Sequence, residues 1–400
     1  MDSELKNEAR NLKRDTKSIS KSCVRKGLFS LTADERAMVA ILMTAVDKQL
    51  AESRRYFAAA NSAHGFYSCF PDIFSPGRLK KIYIVKGGPG TGKSTFMRKA
   101  ASAAAGTGEN VDYYYCSSDT SSLDGIVLIR SEIAILDGTA PHMTDPIYPG
   151  AVEEIINMGD FFNTAELKSH TADIKELNAR CSACHRRAAH YLYAANEIRT
   201  ALRQRIEEAL NRDKMAAAAE RILHRLKSLK AGEDTVRFTS AIGTKGIVHF
   251  DTARLGAESL YQITDKRGAA CFFLDCIKKL TVGMRRMIYP YPLNPEETEE
   301  IGFPDGKAVF TTDRYDSVNL PKNEMNIINM DRFLDRETIA AHKQKIRFSE
   351  RCFDAMMEGA LESLSEADRH HNALERIYVS AMDFEAQTQF TEDFIKNSIH

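Results

Sequence analysis

From residue 81 onward, short apolar runs closed by glycine or polar turns alternate with longer stretches of helix-forming residues, the rhythm of an α/β protein. Ile82 Tyr83 Ile84 Val85 is a β-branched run of the kind buried in a parallel sheet, and residues 94–105 favour helix until Gly106 offers a cap. Residues 111–116 and 133–136 read as further strands, and Ala308 Val309 Phe310 as another far downstream. Two stretches, 164–230 and 335–397, are instead long, charged and helical. As one helix the first would span roughly 100 Å at about 1.5 Å per residue, so a helical hairpin over about 160–232 is expected. Asn163 and Glu166 are placed as its capping box. Near the start, Thr32 Ala33 Asp34 Glu35 opens a helix expected to run to about Ala60, behind a flexible basic tail.

The chain matches itself. Phe57, Ala60 and Gly65 line up with Phe238, Ala241 and Gly246 at one offset of 181, and Ile155 Ile156 Asn157 Met158 recurs unchanged as Ile327 Ile328 Asn329 Met330. Both copies then run into their helical stretches. The expected organisation is therefore a basic tail and helix over 1–55, a first α/β domain with its hairpin over 56–237, and a second over 238–400.

One loop of the first copy carries specific chemistry. Gly87 Gly88 Pro89 Gly90 Thr91 Gly92 Lys93 Ser94 stands between the strand at 82–85 and the helix at 94–105, in the strand, loop, helix setting of a phosphate-binding loop. Glycines let successive N–H groups and the positive helix end face phosphate oxygens. Lys93 would lie along the β- and γ-phosphates, the Ser94 hydroxyl would complete the shell of a Mg²⁺ ion, and Thr95 would follow in the first helical turn. The aligned segment of the second copy has Asp265 for Gly87, Ala270 for Gly92, Cys271 for Lys93 and Phe272 for Ser94. Asp265 repels phosphate, Ala270 and Phe272 fill space the backbone needs, and Cys271 supplies no cation. This copy is expected to keep its fold and lose the site.

A second carboxylate is required to hold the metal's water shell. Ile133 Ala134 Ile135 Leu136 Asp137 is an apolar strand ending in Asp, which makes Asp137 the candidate. In the second copy the corresponding strand runs into Thr311 and Thr312, with Asp313 displaced. The strand at 111–116 delivers Ser117 Ser118 Asp119; Asp119 either activates the attacking group or caps a helix starting near Ser121. Asp124 and His142 are lesser candidates, His142 as a sensor of the γ-phosphate.

These segments, with Tyr115 Cys116 Ser117 Ser118 Asp119, Leu123 Asp124 Gly125, the run from Ile135 to His142, and Tyr148 Pro149 Gly150 Ala151 Val152 Glu153 Glu154 Ile155, resemble a bacterial family of tandem P-loop ATPases over about residues 56–400. The resemblance implies a duplicated P-loop NTPase-type parallel sheet, each copy followed by a long helical hairpin, with ATP and Mg²⁺ as ligands. It also implies a P-loop in each half, from which residues 265–272 depart. The strand order resembles RecA-like ATPases, where an acid after the second strand activates water, which favours Asp119 as base.

Composition narrows the rest. Lys+Arg and Asp+Glu both number 55, so no net field recruits nucleic acid or anionic lipid. No signal peptide or membrane-length apolar run is present, which makes the cytoplasm the expectation. The eight cysteines then read as reduced thiols. Cys181 Ser182 Ala183 Cys184 His185 spells a haem-attachment motif and could also bind zinc, but its charged helical setting and the lack of a second Cys pair favour thiols on a helix surface or seam. Arg186, Arg187, Arg199, Arg203 and Arg205 form either a lid over phosphates, an anchor for a partner, or a solvated face balanced by Glu207 and Glu208. Three functions fit: a Mg-dependent ATPase whose hydrolysis drives a conformational change between the two copies or in the helical hairpins, a small-molecule or nucleotide kinase, or a nucleotide-responsive binding protein with little turnover; the partner besides nucleotide is an unidentified protein or small molecule.

Overall fold

The computed structural model describes residues 54–226, 228–264, 267–314 and 325–399. The expected basic tail, the helix from Thr32 as far as residue 53, and Asp265 lie outside the described residues. The end of that expected helix is strand instead: β1 (Arg54–Phe57) and β2 (Ala59–Ser62). Tyr56, Phe57, Ala58, Ala59 and Ala60 are all buried, so this stretch is strand covered on both faces, bent at Ala58, and not an amphipathic helix.

Two six-stranded mixed sheets carry the fold. The first orders β1, β5 (Val111–Tyr115), β6 (Leu123–Leu128), β7 (Ile133–Asp137), β4 (Lys81–Lys86) and β8 (Glu153–Asn157). The second orders β9 (Asp234–Val236), β13 (Arg286–Tyr291), β14 (Asn294–Phe303), β15 (Ala308–Thr312), β12 (Ser259–Thr264) and β16 (Met325–Asn329). Strand for strand the two orders are the same, so the chain is a duplicated α/β protein. Each sheet has an accompanying hairpin, β2 with β3 (Gly65–Ser68) and β10 (Ser240–Gly243) with β11 (Gly246–His249). Just ahead of the hairpins Phe57 N–H donates to Phe238 C=O at 2.9 Å, and the hairpins themselves meet where Asn61 Nδ2 donates to Ile242 C=O at 2.8 Å.

The sheets are not wholly parallel as the sequence suggested. β6 runs antiparallel to both β5 and β7, and β14 to both β13 and β15. The cause is β6 itself: one of the two readings of Asp119 has it cap a helix starting near Ser121, yet Leu123–Leu128 is buried along its whole length and inserts as a strand. β4 lies between β7 and β8, parallel to both, with α1 (Phe70–Ile73) before it and α2 (Lys93–Gly106) after it.

The helical stretches also differ from expectation. After α3 (Thr164–Ser169), which Asn163 caps by accepting from Glu166 N–H at 3.3 Å, α4 (Thr171–Glu208) runs unbroken for 38 residues, about 57 Å. It is followed by α5 (Arg212–Leu223). The second copy has α6 (Ala270–Leu280), then α7 (Arg336–Ser380) of 45 residues and α8 (Phe384–Ser398). Each long helix pairs with the other copy's long helix and not with a return helix of its own. α4 buries Cys184, Ala188, Leu192, Ala195, Leu202 and Ile206, and α7 buries Met357, Ala360, Leu364, Ala367 and Leu374, stripes spaced by threes and fours. The pairing is antiparallel: Cys181 meets Ala367, Arg187 meets Ser363, and Arg205 meets Ser349. At Gly359 a Cβ would stand 2.8 Å from the Tyr191 ring, so glycine permits the close crossing there.

The ends of the long helices exchange partners with a constant offset of 172. Asn163 N–H donates to Ala381 C=O at 2.7 Å and Asp335 N–H to Ala209 C=O at 2.8 Å; Asp383 N–H donates to Phe161 C=O at 2.9 Å and Asn211 N–H to Phe333 C=O at 2.8 Å. In consequence α8, from the second copy, covers the first copy's core, with Phe394 ring centroids 4.8 Å from Tyr83 and 4.9 Å from Phe96. Reciprocally, α5 places Met215 and Ala219 in the core of the second copy.

Candidate functional site

The glycine loop joins β4 to α2. Gly90 and Gly92 have φ of 71° and 79°, the left-handed region that side chains disfavour, and Gly92 is the N-cap residue of α2. Thr91 is buried and its hydroxyl donates to Gly88 C=O at 2.9 Å, pinning the turn. Lys93 Nζ, largely shielded from solvent, donates to the C=O groups of Gly87 (3.0 Å) and Gly88 (2.7 Å). A cation is thus held inside the curl of the loop by weak neutral acceptors.

Asp137 ends β7, and the parallel register sets it beside Val85, two residues ahead of the loop. Its Oδ2 lies 3.6 Å from Lys93 Nζ, while Oδ1 accepts from Thr139 N–H at 2.9 Å. Lys86 braces the chain that follows, donating to Gly138 C=O at 2.9 Å and Thr144 C=O at 2.7 Å. Ser94 Oγ accepts from Leu123 N–H at 2.6 Å and is partly buried; Pro89 is partly buried and Thr95 is exposed.

Asp119 lies in the turn between β5 and β6, which Ser94 and Arg98 of α2 also touch. No helix begins at Ser121; the Asp119 carboxylate accepts from Ser121 N–H at 3.0 Å and from its hydroxyl, closing the turn before β6. Asp124 and His142, the lesser candidates, come together. The β6–β7 register puts Asp124 next to Asp137, and Asp124 Oδ2 is 3.1 Å from His142 Nε2, both side chains being buried. His142 stacks on Phe70 with ring centroids 4.4 Å apart, and its Nδ1 has no hydrogen-bond partner. Burial by itself would depress the imidazole's pKa, but the charge and hydrogen bonding of Asp124, with Asp137 beyond it, hold it above the ordinary value. Lys93, Asp137, Asp124 and His142 therefore form one charged cluster at the carboxyl end of β4 and β7, where ligands of open α/β sheets sit.

Sequence reasoning missed what closes on the loop. A Cβ at Gly88 would be 2.7 Å from the Tyr378 ring, and one at Gly90 would be 2.6 Å from Glu375 Cγ. Both contacts come from the last turns of α7, in the other copy, so the glycines serve helix packing as well as backbone freedom.

In the second copy the equivalent place is filled by side chains. Cys271 is buried, its thiol is pushed up to about 12 by that burial, and Sγ approaches Gly268 C=O at 3.2 Å. Thr312 stands beside Ile263 where Asp137 stands beside Val85. Arg203 lies over the Phe272 ring at 5.3 Å and Arg199 over Tyr291 at 4.6 Å, and both guanidinium groups bind Glu297 of β14. These two arginines are neither a solvated face nor a lid over the glycine loop; Glu207 and Glu208 pair elsewhere, with Arg212 and His342. Arg187 and Arg205 face α7, and Arg186 is exposed.

Among the described residues no helix is long and apolar enough to cross a membrane. No family model matches the chain, nor does any curated protein or solved structure.

Proposed function

We propose that the protein is a Mg-dependent ATPase with one working nucleotide site, in the first copy. The observation that carries this reading is the placement of Lys93 Nζ 3.6 Å from Asp137 at the base of a glycine loop that opens a helix. The donor set fits nucleotide and metal: a lysine held by two loop carbonyls and the Asp137 carboxylate, a hydroxyl at Ser94, and that carboxylate itself. Backbone N–H groups of 87–94 would bind phosphate oxygens, Lys93 would exchange its carbonyl partners for the β- and γ-phosphates, and Ser94 and Asp137 would hold Mg²⁺. Mg²⁺ held by Ser94 and Asp137 would supply positive charge to offset the charge developing on a transferred phosphoryl group. Asp119 would orient the attacking water from the β5–β6 turn, with Asp124 and His142 as the buried pair behind Asp137.

A second reading, a nucleotide-responsive protein of little turnover, is favoured by one feature: Tyr378 and Glu375 press on the loop, so a nucleotide that opens it would displace α7 and report to the helical pair. Phosphate release from Mg·ATP without an added acceptor tests the first reading; tight ATP binding without release favours the second. ADP formation only in the presence of an acceptor hydroxyl would establish a kinase instead.

A further inference from the structure

The Cys181–Cys184–His185 motif lacks, in the sequence near it, the ligands that would close a metal site. The fold supplies them from the other copy. Where α4 crosses α7, Cys184 Sγ, a Glu366 carboxylate oxygen and a His370 ring nitrogen all lie within 4.8 Å of one another. Cys181, one turn earlier on α4, places its Sγ 3.7 Å from Ala367 C=O, in the middle of the same seam.

We propose that this seam is a binding site for a zinc-class divalent ion, with Cys184, His370 and Glu366 as ligands and Cys181 as the fourth. Thiolate, imidazole and carboxylate in a four-ligand set suit zinc. Tetrahedral bonds of about 2.0–2.3 Å put ligand atoms roughly 3.3–3.8 Å apart, so the three atoms need to close by about 1 Å, within the reach of side-chain torsions. A cation already stands in the gap. Arg187 Nη2 lies 3.5 Å from Cys184 Sγ and binds Glu366, while Nε donates to Ser363 Oγ at 3.2 Å. The half-exposed guanidinium keeps thiol and carboxylate converged, and the metal would displace it to solvent as the thiol protons are released. The site would clamp the two copies together. Its α7 ligands, Glu366 and His370, also lie nine and five residues before Glu375, about 8–14 Å along the axis from the contact with the glycine loop. None of this depends on the nucleotide reading.

The test is titration of the full-length protein, reduced with a phosphine, by Co²⁺ and then Zn²⁺. The expected result is one Co²⁺ per chain with thiolate charge-transfer and tetrahedral visible bands, bleached by Zn²⁺. Cys184→Ser and His370→Gln should each weaken binding by more than the roughly 10–100-fold that outer-shell changes cost. Cys352→Ser, a thiol outside the set, should leave it unchanged, and Arg187→Ala should tighten it. Where Cys184→Ser does not fold, the partly exposed His370→Gln decides alone. Absence of the bands in the wild-type protein, or their survival in His370→Gln, overturns the proposal.

Discussion

Replacing Glu297 by alanine strands two guanidinium groups in the second copy. The carboxylate is 7% exposed, Arg199 is 9% exposed and Arg203 is 19% exposed, so little water is at hand to solvate the charges left behind. Breaking a buried pair by deleting one partner costs about 3–5 kcal/mol, a factor of order 10²–10³ or more in the folded-to-unfolded ratio. Removing the charges together is different: Arg199→Met with Arg203→Met and Glu297→Leu should lie much nearer to wild type, because the desolvation cost disappears with the attraction. Urea unfolding followed by far-ultraviolet dichroism measures both. Burial raises the Glu297 pKa, but Arg199 and Arg203 outweigh it and hold the carboxyl below its ordinary 4.5. Its stabilisation is therefore present above pH 4.5 and is lost as pH falls below that, and the single variant should flatten this acid limb. A loss under about 1 kcal/mol in Glu297→Ala would mean instead that the place in the second copy equivalent to the glycine loop is open to water and not filled by an ion cluster.

Three further outcomes are expected. Glu300, fully buried, is held down to about 2 because His249, Arg254 and Thr311 outweigh the effect of burial; Glu300→Gln should remove stability that the wild type keeps above pH 4.5 and loses towards pH 2, read by thermal melts across that range. His142 has the opposite sign: with its folded pKa raised, its contribution is complete below about pH 6.5 and is lost as pH rises through the elevated value, so His142→Gln should weaken that pH dependence in the same melts. Phe394→Ala removes a ring packed on Tyr83 and Phe96 and should cost about 2–4 kcal/mol; hydrogen exchange should show the loss in α2 and β4 of the first copy, although the mutation lies in the second.

Much of this was legible in the residues. The β-branched run at 82–85, its glycine loop and the helix after it fell where expected, because strand, loop and helix signals there are local and agree. The repeat was legible too, since Ile155 and Ile327 occupy matching places in β8 and β16. β6 was not, because Leu-Asp-Gly-Ile-Val-Leu buries an aspartate whose partner, His142, arrives 18 residues later on a loop. The helix pairing failed for a related reason. A stripe of Ala, Leu and Ile spaced by threes and fours suits a return helix as well as a distant one, and only the exchanged backbone bonds at 163, 209, 335 and 381 select the distant one. The role of Arg199 and Arg203 was hidden likewise, their carboxylate lying 98 and 94 residues further along.

The proposed function requires nucleotide to bind at one of the two duplicated sites and not at the other. Equilibrium binding of a non-hydrolysable ATP analogue with Mg²⁺, by calorimetry on the full chain, tests it most directly. The expected result is one analogue per chain, lost in Lys93→Ala and unchanged in Cys271→Lys. Two per chain, or undiminished binding in Lys93→Ala, would contradict it.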